Sequence, residues 1–296
     1  LVPKMREHGY SDSMIMGPIM GAGGLAMIIP PSALAVILGS LGSMDIGRLL
    51  IAGVFPGILI ALIYFMYIYF RARLQPASAP SYPVAPKPLS VKTVNTAKYL
   101  LPMVFIILAV LGSMFLGIAT PTEASALGAF ASFILAAIYR KLTWKSMTSA
   151  VRETVKITVM AFVIIAGSAV FSQIIAFSGV SRSLVQTVTG APIAPILILI
   201  GMQIILLMLG CFMEQVAMMM ITLPIFMPVV LALHFDPIWF GILLGVVLMI
   251  GVVIPPVAIC VFVVKNITKE SMGTIYKGVT PFLISLCLMW ILLLLF

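Results

Sequence analysis

Long apolar runs alternate with short polar stretches along the whole chain. Seven of these runs are long enough, or nearly long enough, to cross a membrane as helices: 13–39, 49–70, 99–118, 122–139, 157–177, 236–264 and 278–296. Two further apolar stretches lie between residues 193 and 233. They are joined by the sequence GCFMEQ at 210–215, which indicates a hairpin that enters and leaves the membrane on one side. The pattern predicts an all-α polytopic membrane protein.

The composition agrees with this interpretation. Of the 296 residues, 62% are hydrophobic and only 8% are charged, a balance that excludes a soluble core of this size. The 17 Lys and Arg exceed the 8 Asp and Glu. Basic loops on the cytoplasmic side explain this excess in a membrane protein, so no nucleic-acid partner is expected. With the N-terminus inside, every Lys and Arg except Arg48 and Arg182 lies on the inner side, and the C-terminus lies outside.

Two polar segments interrupt the apolar pattern. Residues 72–98 contain five prolines among small polar residues and are expected to form an extended, solvated cytoplasmic linker. Residues 142–156 place Trp144, Met147 and Val151 at helical spacing, which predicts an amphipathic helix on the inner membrane surface. This helix is either a simple connector or an arm that links a fixed part to a moving part.

Two Pro-Pro pairs interrupt apolar runs and belong to an internal repeat. At an offset of 225 residues, Ile29-Pro30-Pro31 aligns with Ile254-Pro255-Pro256, and GVFP at 53–56 aligns with GVTP at 278–281. In the topology above, the first copy runs outward and the second runs inward. Inverted repeats with proline-broken helices are typical of secondary transporters, whose binding site lies where the breaks meet.

The breaks have a chemistry of their own, because proline cannot donate the hydrogen bonds that would occupy the carbonyl groups one turn earlier. Freed carbonyl oxygens are suitable ligands for Na⁺, and we expect them near Gly24, Ile28, Ile29, Gly251, Val253 and Ile254. The half-helices that begin directly after each Pro-Pro pair direct their positive dipole ends toward an anionic substrate. The residues expected there are Pro30, Pro31, Ser32, Pro255, Pro256 and Val257. The alternative is a pair of kinked helices without a ligand.

Two glutamates in apolar surroundings differ in their expected roles. Glu214, at the hairpin tip, is expected to be buried; it either helps to bind Na⁺ or caps the helix that starts near residue 215, and the two roles are compatible. Glu123 follows Thr120 and Pro121 at the spacing of a helix capping box, which favours a structural role.

The energy source follows from motifs that the sequence lacks. There is no GxxxxGK[ST] motif for ATP phosphates, so transport would draw on an ion gradient. Nor do the apolar runs contain a nucleophile with a base, paired aspartates or an HExxH motif. An enzyme is therefore not expected.

Several motifs together resemble one known family. They are GYSDS…IIPPS, TPTEASALGAF, LTWKSM, LGCFMEQVAMMMITLPIFMPV and FDPIWFGILLGVVLMIGVVIPPVAICVFVVKNI. Their order and spacing resemble the large membrane subunit of TRAP transporters, the tripartite ATP-independent periplasmic carriers. The resemblance covers nearly the whole chain except the proline-rich linker.

The resemblance implies an inverted-repeat elevator transporter in the bacterial inner membrane, with a re-entrant hairpin and two Pro-Pro-broken helices. Such a transporter imports organic acids, such as dicarboxylates or sialic acid, with Na⁺ as the coupling ion and no organic cofactor. Its partners are a small membrane subunit, a periplasmic binding protein that delivers the substrate, and the lipid bilayer. Matched to this chain, the Na⁺-binding elements are the two breaks and the hairpin tip, with Gly210, Met213 and Glu214.

The expected organisation has nine segments. They are the first broken helix of the transport domain (1–46), the helix that ends repeat 1 (47–71), the linker (72–98), scaffold helices (99–141), the interfacial arm (142–156), a transmembrane helix with an outer loop (157–192), the re-entrant hairpin (193–233), the second broken helix (234–268) and the last transmembrane helix (269–296).

Two departures from the family pattern bear on the Na⁺ sites. The family often has Asp where this chain has Glu214, and Thr where Ile254 stands, so the second Na⁺ site lacks a hydroxyl ligand. The repeat also leads us to expect a first hairpin upstream of residue 1. Two alternatives remain open: a Na⁺/dicarboxylate symporter that needs no binding protein, and an assembly module without a working site.

Overall fold

A computed structural model describes residues 1–82, 88–254 and 259–295, and all regular structure in these ranges is helical. The α-helices are α1 (Val2–Glu7), α2 (Asp12–Leu25), α3 (Ala33–Leu41), α4 (Ile46–Leu74), α5 (Leu89–Asn95), α6 (Leu101–Phe115), α7 (Pro121–Ile138), α8 (Trp144–Phe177), α9 (Val180–Gly190), α10 (Pro195–Gly210), α11 (Gln215–Ala232), α12 (Pro237–Gly251), α13 (Ile259–Thr268) and α14 (Met272–Leu295). A 3₁₀ turn spans Pro76–Ser78 and a π-helical turn spans Thr96–Leu100.

Six helical stretches in the described residues are long and apolar enough to cross a membrane. They are Ile46–Leu74, Leu89–Phe115, Pro121–Ile138, Trp144–Phe177, Gln215–Ala232 and Met272–Leu295. This confirms the prediction of an all-α polytopic membrane protein. The hairpin is also present as α10 and α11, joined by residues 211–214. That this hairpin is re-entrant stays a prediction.

The first Pro-Pro run is broken as expected. Helix α2 ends at Leu25 and α3 begins at Ala33, with Pro30 and Pro31 between them. Ser32 is the N-cap of α3: its hydroxyl oxygen accepts the N–H of Ala35 at 3.2 Å and donates to the carbonyl oxygen of Met27 at 2.7 Å. The Ser32 side chain therefore forms hydrogen bonds on both sides of the break.

In the second run the helix likewise ends before the Pro-Pro pair. Helix α12 ends at Gly251 and α13 is described from Ile259. Pro255, Pro256 and Val257 lie outside the described residues, so the prediction that a half-helix begins at Val257 stays a prediction. The start of α12 follows Asp236, whose carboxylate accepts the N–H groups of Ile238 and Trp239.

The chain divides into two compact units, one of residues 1–82 and 164–296 and the other of residues 83–163. In the first unit, α12 is the central helix: every residue from Phe240 to Gly251 is buried. It contacts α3, α4, α10, α11 and α14. A helix that is apolar on all faces is stable only inside a bundle, and this explains its central position.

The broadest contact in this unit joins α2 to α14. It depends on glycines, which have no side chain to keep the two backbones apart. A Cβ on Gly17 would clash with the carbonyl oxygen of Gly278, and a Cβ on Gly278 would lie 2.6 Å from the carbonyl oxygen of Ser13. Four residues after Gly17, Gly21 faces the ring of Phe282. Small residues spaced by four let helix backbones approach closely, as is common in membrane proteins.

The second unit contains α6 and α7, which pack against each other with largely exposed outer faces. The predicted capping box at the start of α7 is confirmed. The Glu123 carboxylate accepts the Thr120 N–H at 2.8 Å, and the Thr120 hydroxyl accepts the Glu123 N–H at 3.3 Å.

Two expectations about the polar segments need correction. The linker is not extended throughout, because residues 89–100 are helical. From Leu89 to Leu101 no proline interrupts the backbone hydrogen bonds. The arm at 142–156 is not a separate element either: α8 continues through residue 156 to Phe177, since neither Gly nor Pro occurs from 142 to 166 to end it near residue 156. The described structure does not test whether its first part lies on the membrane surface.

Helix boundaries recur at the offset found in the sequence. Asp12 and Pro237, the first residues of α2 and α12, are 225 residues apart. Ile46 and Met272, the first residues of α4 and α14, are 226 residues apart.

Candidate ion and substrate site

A cavity of about 190 Å³ lies where the hairpin tip meets the end of α12. It is lined by Met27, Gly210, Cys211, Met213, Glu214, Gln215, Gly251, Val252 and Cys260. Four of these residues were predicted as Na⁺ ligands from the sequence: Gly210, Met213, Glu214 and Gly251. The structure thus brings the hairpin tip and the start of the second break together.

Close approach of two glycines holds the tip against α12. A Cβ on Gly251 would lie 3.0 Å from the Cα, carbonyl carbon and carbonyl oxygen of Gly210. Such a distance is too short for an ordinary contact, and backbone atoms cannot rotate away. The backbones of these two lining residues therefore meet directly.

Glu214 caps α11, which confirms one of its two expected roles. One oxygen of its carboxylate accepts the N–H of Val216 at 2.9 Å and that of Ala217 at 3.1 Å. The expectation that this carboxylate is buried is wrong, because Glu214 is exposed. It lies at the turn between two helices and lines the cavity. The described contacts do not test Na⁺ ligation, which stays a prediction.

The predicted ligands of the first break lie elsewhere. The carbonyl oxygen of Ile28 faces α4, where a Cβ on Gly53 would lie 2.6 Å from it, and the side chain of Ile29 packs on Gly57. The carbonyl oxygen of Gly24 accepts the N–H of Met27 at 3.0 Å. Among the residues of this break, Met27 alone lines the cavity.

Of the predicted ligands of the second break, Gly251 lines the cavity, whereas Val253 and Ile254 do not belong to its lining. The N–H groups of Val253 and Ile254 both donate to the carbonyl oxygen of Ile250, at 3.1 Å each. Of the substrate residues predicted at the breaks, Pro30, Pro31 and Ser32 lie in the closed turn before α3. The remaining three, Pro255, Pro256 and Val257, lie outside the described residues.

Five residues of the lining were not predicted: Met27, Cys211, Gln215, Val252 and Cys260. Gln215 carried a usable signal, because it is a polar residue next to Glu214 in an otherwise apolar stretch. Its side-chain nitrogen donates to the carbonyl oxygen of Leu248 at 3.2 Å and lies 3.1 Å from the sulfur of Met27. Gln215 thus joins the hairpin tip to α12 and to the first break.

The lining of the cavity combines hard and soft donors. Glu214 and Gln215 carry side-chain oxygen atoms, which suit alkali ions, whereas the Met and Cys residues of the lining carry sulfur, a softer ligand. Within the described residues, no group of three His, Cys, Asp or Glu side chains comes together as a metal site.

Comparison with known proteins gives consistent results. The family model described as "Tripartite ATP-independent periplasmic transporter, DctM component" matches residues 1–296. The C4-dicarboxylate TRAP transporter large permease protein DctM of Pseudomonas aeruginosa is 31% identical over 283 residues, covering 95% of this chain and 65% of the relative. The sialic acid TRAP transporter permease protein SiaT of Haemophilus influenzae is 29% identical, covering 96% of this chain and 45% of the relative.

A third relative is the isethionate TRAP transporter permease protein DctMQ of Oleidesulfovibrio alaskensis. It is 33% identical, covering 95% of this chain and 44% of the relative. The chain therefore spans about two thirds of the length of the curated DctM relatives and less than half of these two permease proteins. The names of these relatives point to a transporter rather than an enzyme.

Proposed function

Because the chain belongs to the DctM component family of tripartite ATP-independent periplasmic transporters, we propose that it forms part of the membrane permease of a Na⁺-coupled organic-acid importer. The observation that carries the proposal is the cavity in which the hairpin tip, the end of α12 and Met27 converge. Broken helices that meet a helical hairpin at such a cavity are characteristic of secondary-transporter binding sites.

Na⁺ coupling is supported by the chemistry of the cavity. Glu214 supplies a carboxylate, and the close Gly210–Gly251 contact places the main chain of two elements at its rim. We assign the Na⁺ sites to the tip residues Gly210, Met213 and Glu214 together with the main chain near Gly251. Each net positive charge that moves inward through 100 mV contributes about 2.3 kcal/mol, so Na⁺ ions in excess of the substrate's negative charge drive accumulation.

An anionic substrate is supported by the relatives and by the helix ends. The relatives are named for C4-dicarboxylate, sialic acid and isethionate. The N-terminus of α3 follows Ser32, and a helix N-terminus carries a partial positive charge that favours anions. We propose that the substrate carboxylate binds near the two Pro-Pro pairs, with residues 30–32 and 255–257 as the candidates.

An elevator mechanism with an inverted repeat is supported by the helix boundaries. The starts of α2 and α12 and those of α4 and α14 recur at offsets of 225 and 226 residues. Pro56 in α4 and Pro281 in α14 also occupy equivalent positions. In this proposal the broken helices and the hairpin form the moving transport domain.

Partners and membrane follow from the family. We propose a small membrane subunit and a periplasmic binding protein as partners, and a location in the bacterial inner membrane with the C-terminus on the periplasmic side. The distribution of Lys and Arg supports this orientation.

The test is uptake by the complete permease with its partner proteins in liposomes under an inward Na⁺ gradient. Labelled C4-dicarboxylates, sialic acid and isethionate are screened as substrates. The proposal expects uptake that requires both Na⁺ and the binding protein. Uptake with Na⁺ but without the binding protein would favour the symporter alternative, and a failure of every acid to enter would contradict the proposal.

A further inference from the structure

The side chain of Gln215 connects three elements that are far apart in the sequence. Gln215 is the first residue of α11, and its amide nitrogen bonds to Leu248 of α12 and contacts the sulfur of Met27 in the first break. An amide nitrogen has two hydrogens, so it can serve both acceptors at once. The bond to the Leu248 carbonyl oxygen is the stronger of the two, because sulfur is a weak acceptor.

Both acceptors of Gln215 are themselves fixed. The carbonyl oxygen of Met27 accepts the hydroxyl of Ser32 at 2.7 Å, so Met27 is held from both ends. Leu248 lies one turn before Gly251, whose backbone touches Gly210. A continuous set of contacts therefore runs from the N-terminus of α3, through Met27 and Gln215, to the end of α12.

Few hydrogen bonds join the hairpin tip to its neighbours within the described residues. Only residues 211–214 separate α10 from α11, and Glu214 bonds to the N–H groups of its own helix. The Gly210–Gly251 contact is a van der Waals contact without a hydrogen bond. Within the described residues, Gln215 provides the side-chain hydrogen bond between the tip and α12.

We propose that Gln215 is a positioning residue that sets the Na⁺ affinity of the cavity by fixing the hairpin tip against α12 and Met27. This inference rests on the proposed Na⁺ coupling. Oxygen ligands of an ion must be held within about 0.5 Å of their productive geometry, so a tip without this bond binds the ion more weakly. Gln215 does not touch the ion in this account.

The first experiment measures uptake by the complete permease with its partners as a function of Na⁺ concentration. Gln215→Leu removes the amide and keeps the volume. The half-saturating Na⁺ concentration is expected to rise about three- to tenfold, the effect of losing one hydrogen bond. The maximal rate at saturating Na⁺ is expected to stay near the wild-type value. Gln215→Asn, which keeps the amide but cannot reach both acceptors, is expected to act in the same direction.

The matched control is Gln186→Leu. Gln186 is an exposed glutamine of α9, and its side chain makes no hydrogen bond within the described residues. The same chemical change at this position is expected to leave the Na⁺ dependence of uptake unchanged.

A second experiment measures the Na⁺-induced shift of the melting temperature of the purified permease. Gln215→Leu is expected to move the midpoint of this shift to higher Na⁺ concentration. Met27→Leu is expected to have a smaller effect of the same kind, and to add nothing in the Gln215→Leu background, because the contact is already lost. A purely structural role would lower the melting temperature equally with and without Na⁺.

The outcomes separate this inference from the proposed function. A wild-type permease that imports its substrate equally well without Na⁺ overturns the coupling itself. If the wild type responds to Na⁺ and Gln215→Leu has the same half-saturating concentration, the coupling stands and the positioning role of Gln215 is overturned. A lower maximal rate with an unchanged half-saturating concentration overturns it as well.

Discussion

The two helix breaks share the sequence Ile-Pro-Pro but differ in the neighbours that meet them. The first break is closed by Ser32, which bonds to Met27 and Ala35, and it packs on α4 at Gly53 and Gly57. The second break begins after Gly251, which lies against the backbone of Gly210 and lines the cavity. One break is therefore held by its own cap, and the other faces the hairpin tip.

The residues at equivalent positions reflect this difference. At the offset of 225 residues, Ala26 stands in the first break where the second has Gly251, and Ser32 stands where the second has Val257. Ala26 is tolerated because it is exposed: the hairpin tip meets the first break at Met27, through the side chain of Gln215, and not at this position. The repeat therefore produces two similar breaks. The elements packed against each break determine which of them has its backbone against the hairpin tip at the cavity.

The largest expected effect comes from replacing Gly251 of the second break with alanine, the residue type at the equivalent position of the first break. Gly251→Ala puts a Cβ 3.0 Å from three backbone atoms of Gly210 and should push the tip away from α12. Overpacking of this kind costs about 1–3 kcal/mol, and we expect a rise of roughly tenfold or more in the Na⁺ concentration for half-maximal uptake. The measurement is uptake against Na⁺ concentration in liposomes.

The matched control for this substitution is Gly23→Ala, near the end of α2. A Cβ on Gly23 would meet nothing within 4 Å, so the Na⁺ dependence is expected to remain that of the wild type. Equal effects of the two substitutions would show that the Gly210–Gly251 contact does not set the Na⁺ dependence.

The next effect separates the charge of Glu214 from its capping role. Glu214→Gln keeps an oxygen that can accept the N–H groups of Val216 and Ala217 but removes the negative charge. If the carboxylate binds Na⁺, the half-saturating concentration rises about tenfold, whereas the melting temperature without Na⁺ changes little.

Glu123→Gln is the control for this second prediction. Glu123 is an exposed carboxylate in the capping box of α7, and its neutralisation is expected to leave the Na⁺ dependence unchanged. An unchanged Na⁺ dependence in Glu214→Gln would leave capping as the role of Glu214.

A smaller effect is expected from opening the first break. Ser32→Ala removes the cap of α3 and the bond to the Met27 carbonyl oxygen, at a cost of about 1 kcal/mol. We expect a lower melting temperature in detergent. Ser40→Ala in the same helix removes only the bond from an exposed hydroxyl to Val36 and should shift the melting temperature less. Equal shifts would show that Ser32 does not hold the break.

The smallest expected effect is a rise in the melting temperature. Gly245, in the middle of α12, would place a Cβ in open space beside a cavity of about 20 Å³ lined by Leu34, Leu38 and Leu248. Gly245→Ala improves helix propensity by up to about 1 kcal/mol and should raise the melting temperature slightly. A decrease would indicate that α12 is packed more tightly there than the structure shows.

The sequence alone was sufficient to predict those structural features whose cause is local. Proline without an N–H predicts the breaks, and the Thr120–Glu123 spacing predicts the capping box, because neighbours in the chain form these features. The cavity could not be predicted in full, since Met27 and Gln215 are 188 residues apart and meet only through packing. The exposure of Glu214 and the continuity of α8 also depend on neighbouring helices and on helix propagation rather than on any single motif.

The most direct test of the central claim is Na⁺-dependent uptake by the complete permease, comparing the wild type with Gly251→Ala and Gly23→Ala. The account predicts uptake that requires Na⁺, a half-saturating Na⁺ concentration about tenfold higher in Gly251→Ala, and a wild-type value in Gly23→Ala. Uptake that continues at the same rate after K⁺ replaces Na⁺ on both sides of the membrane would contradict the account.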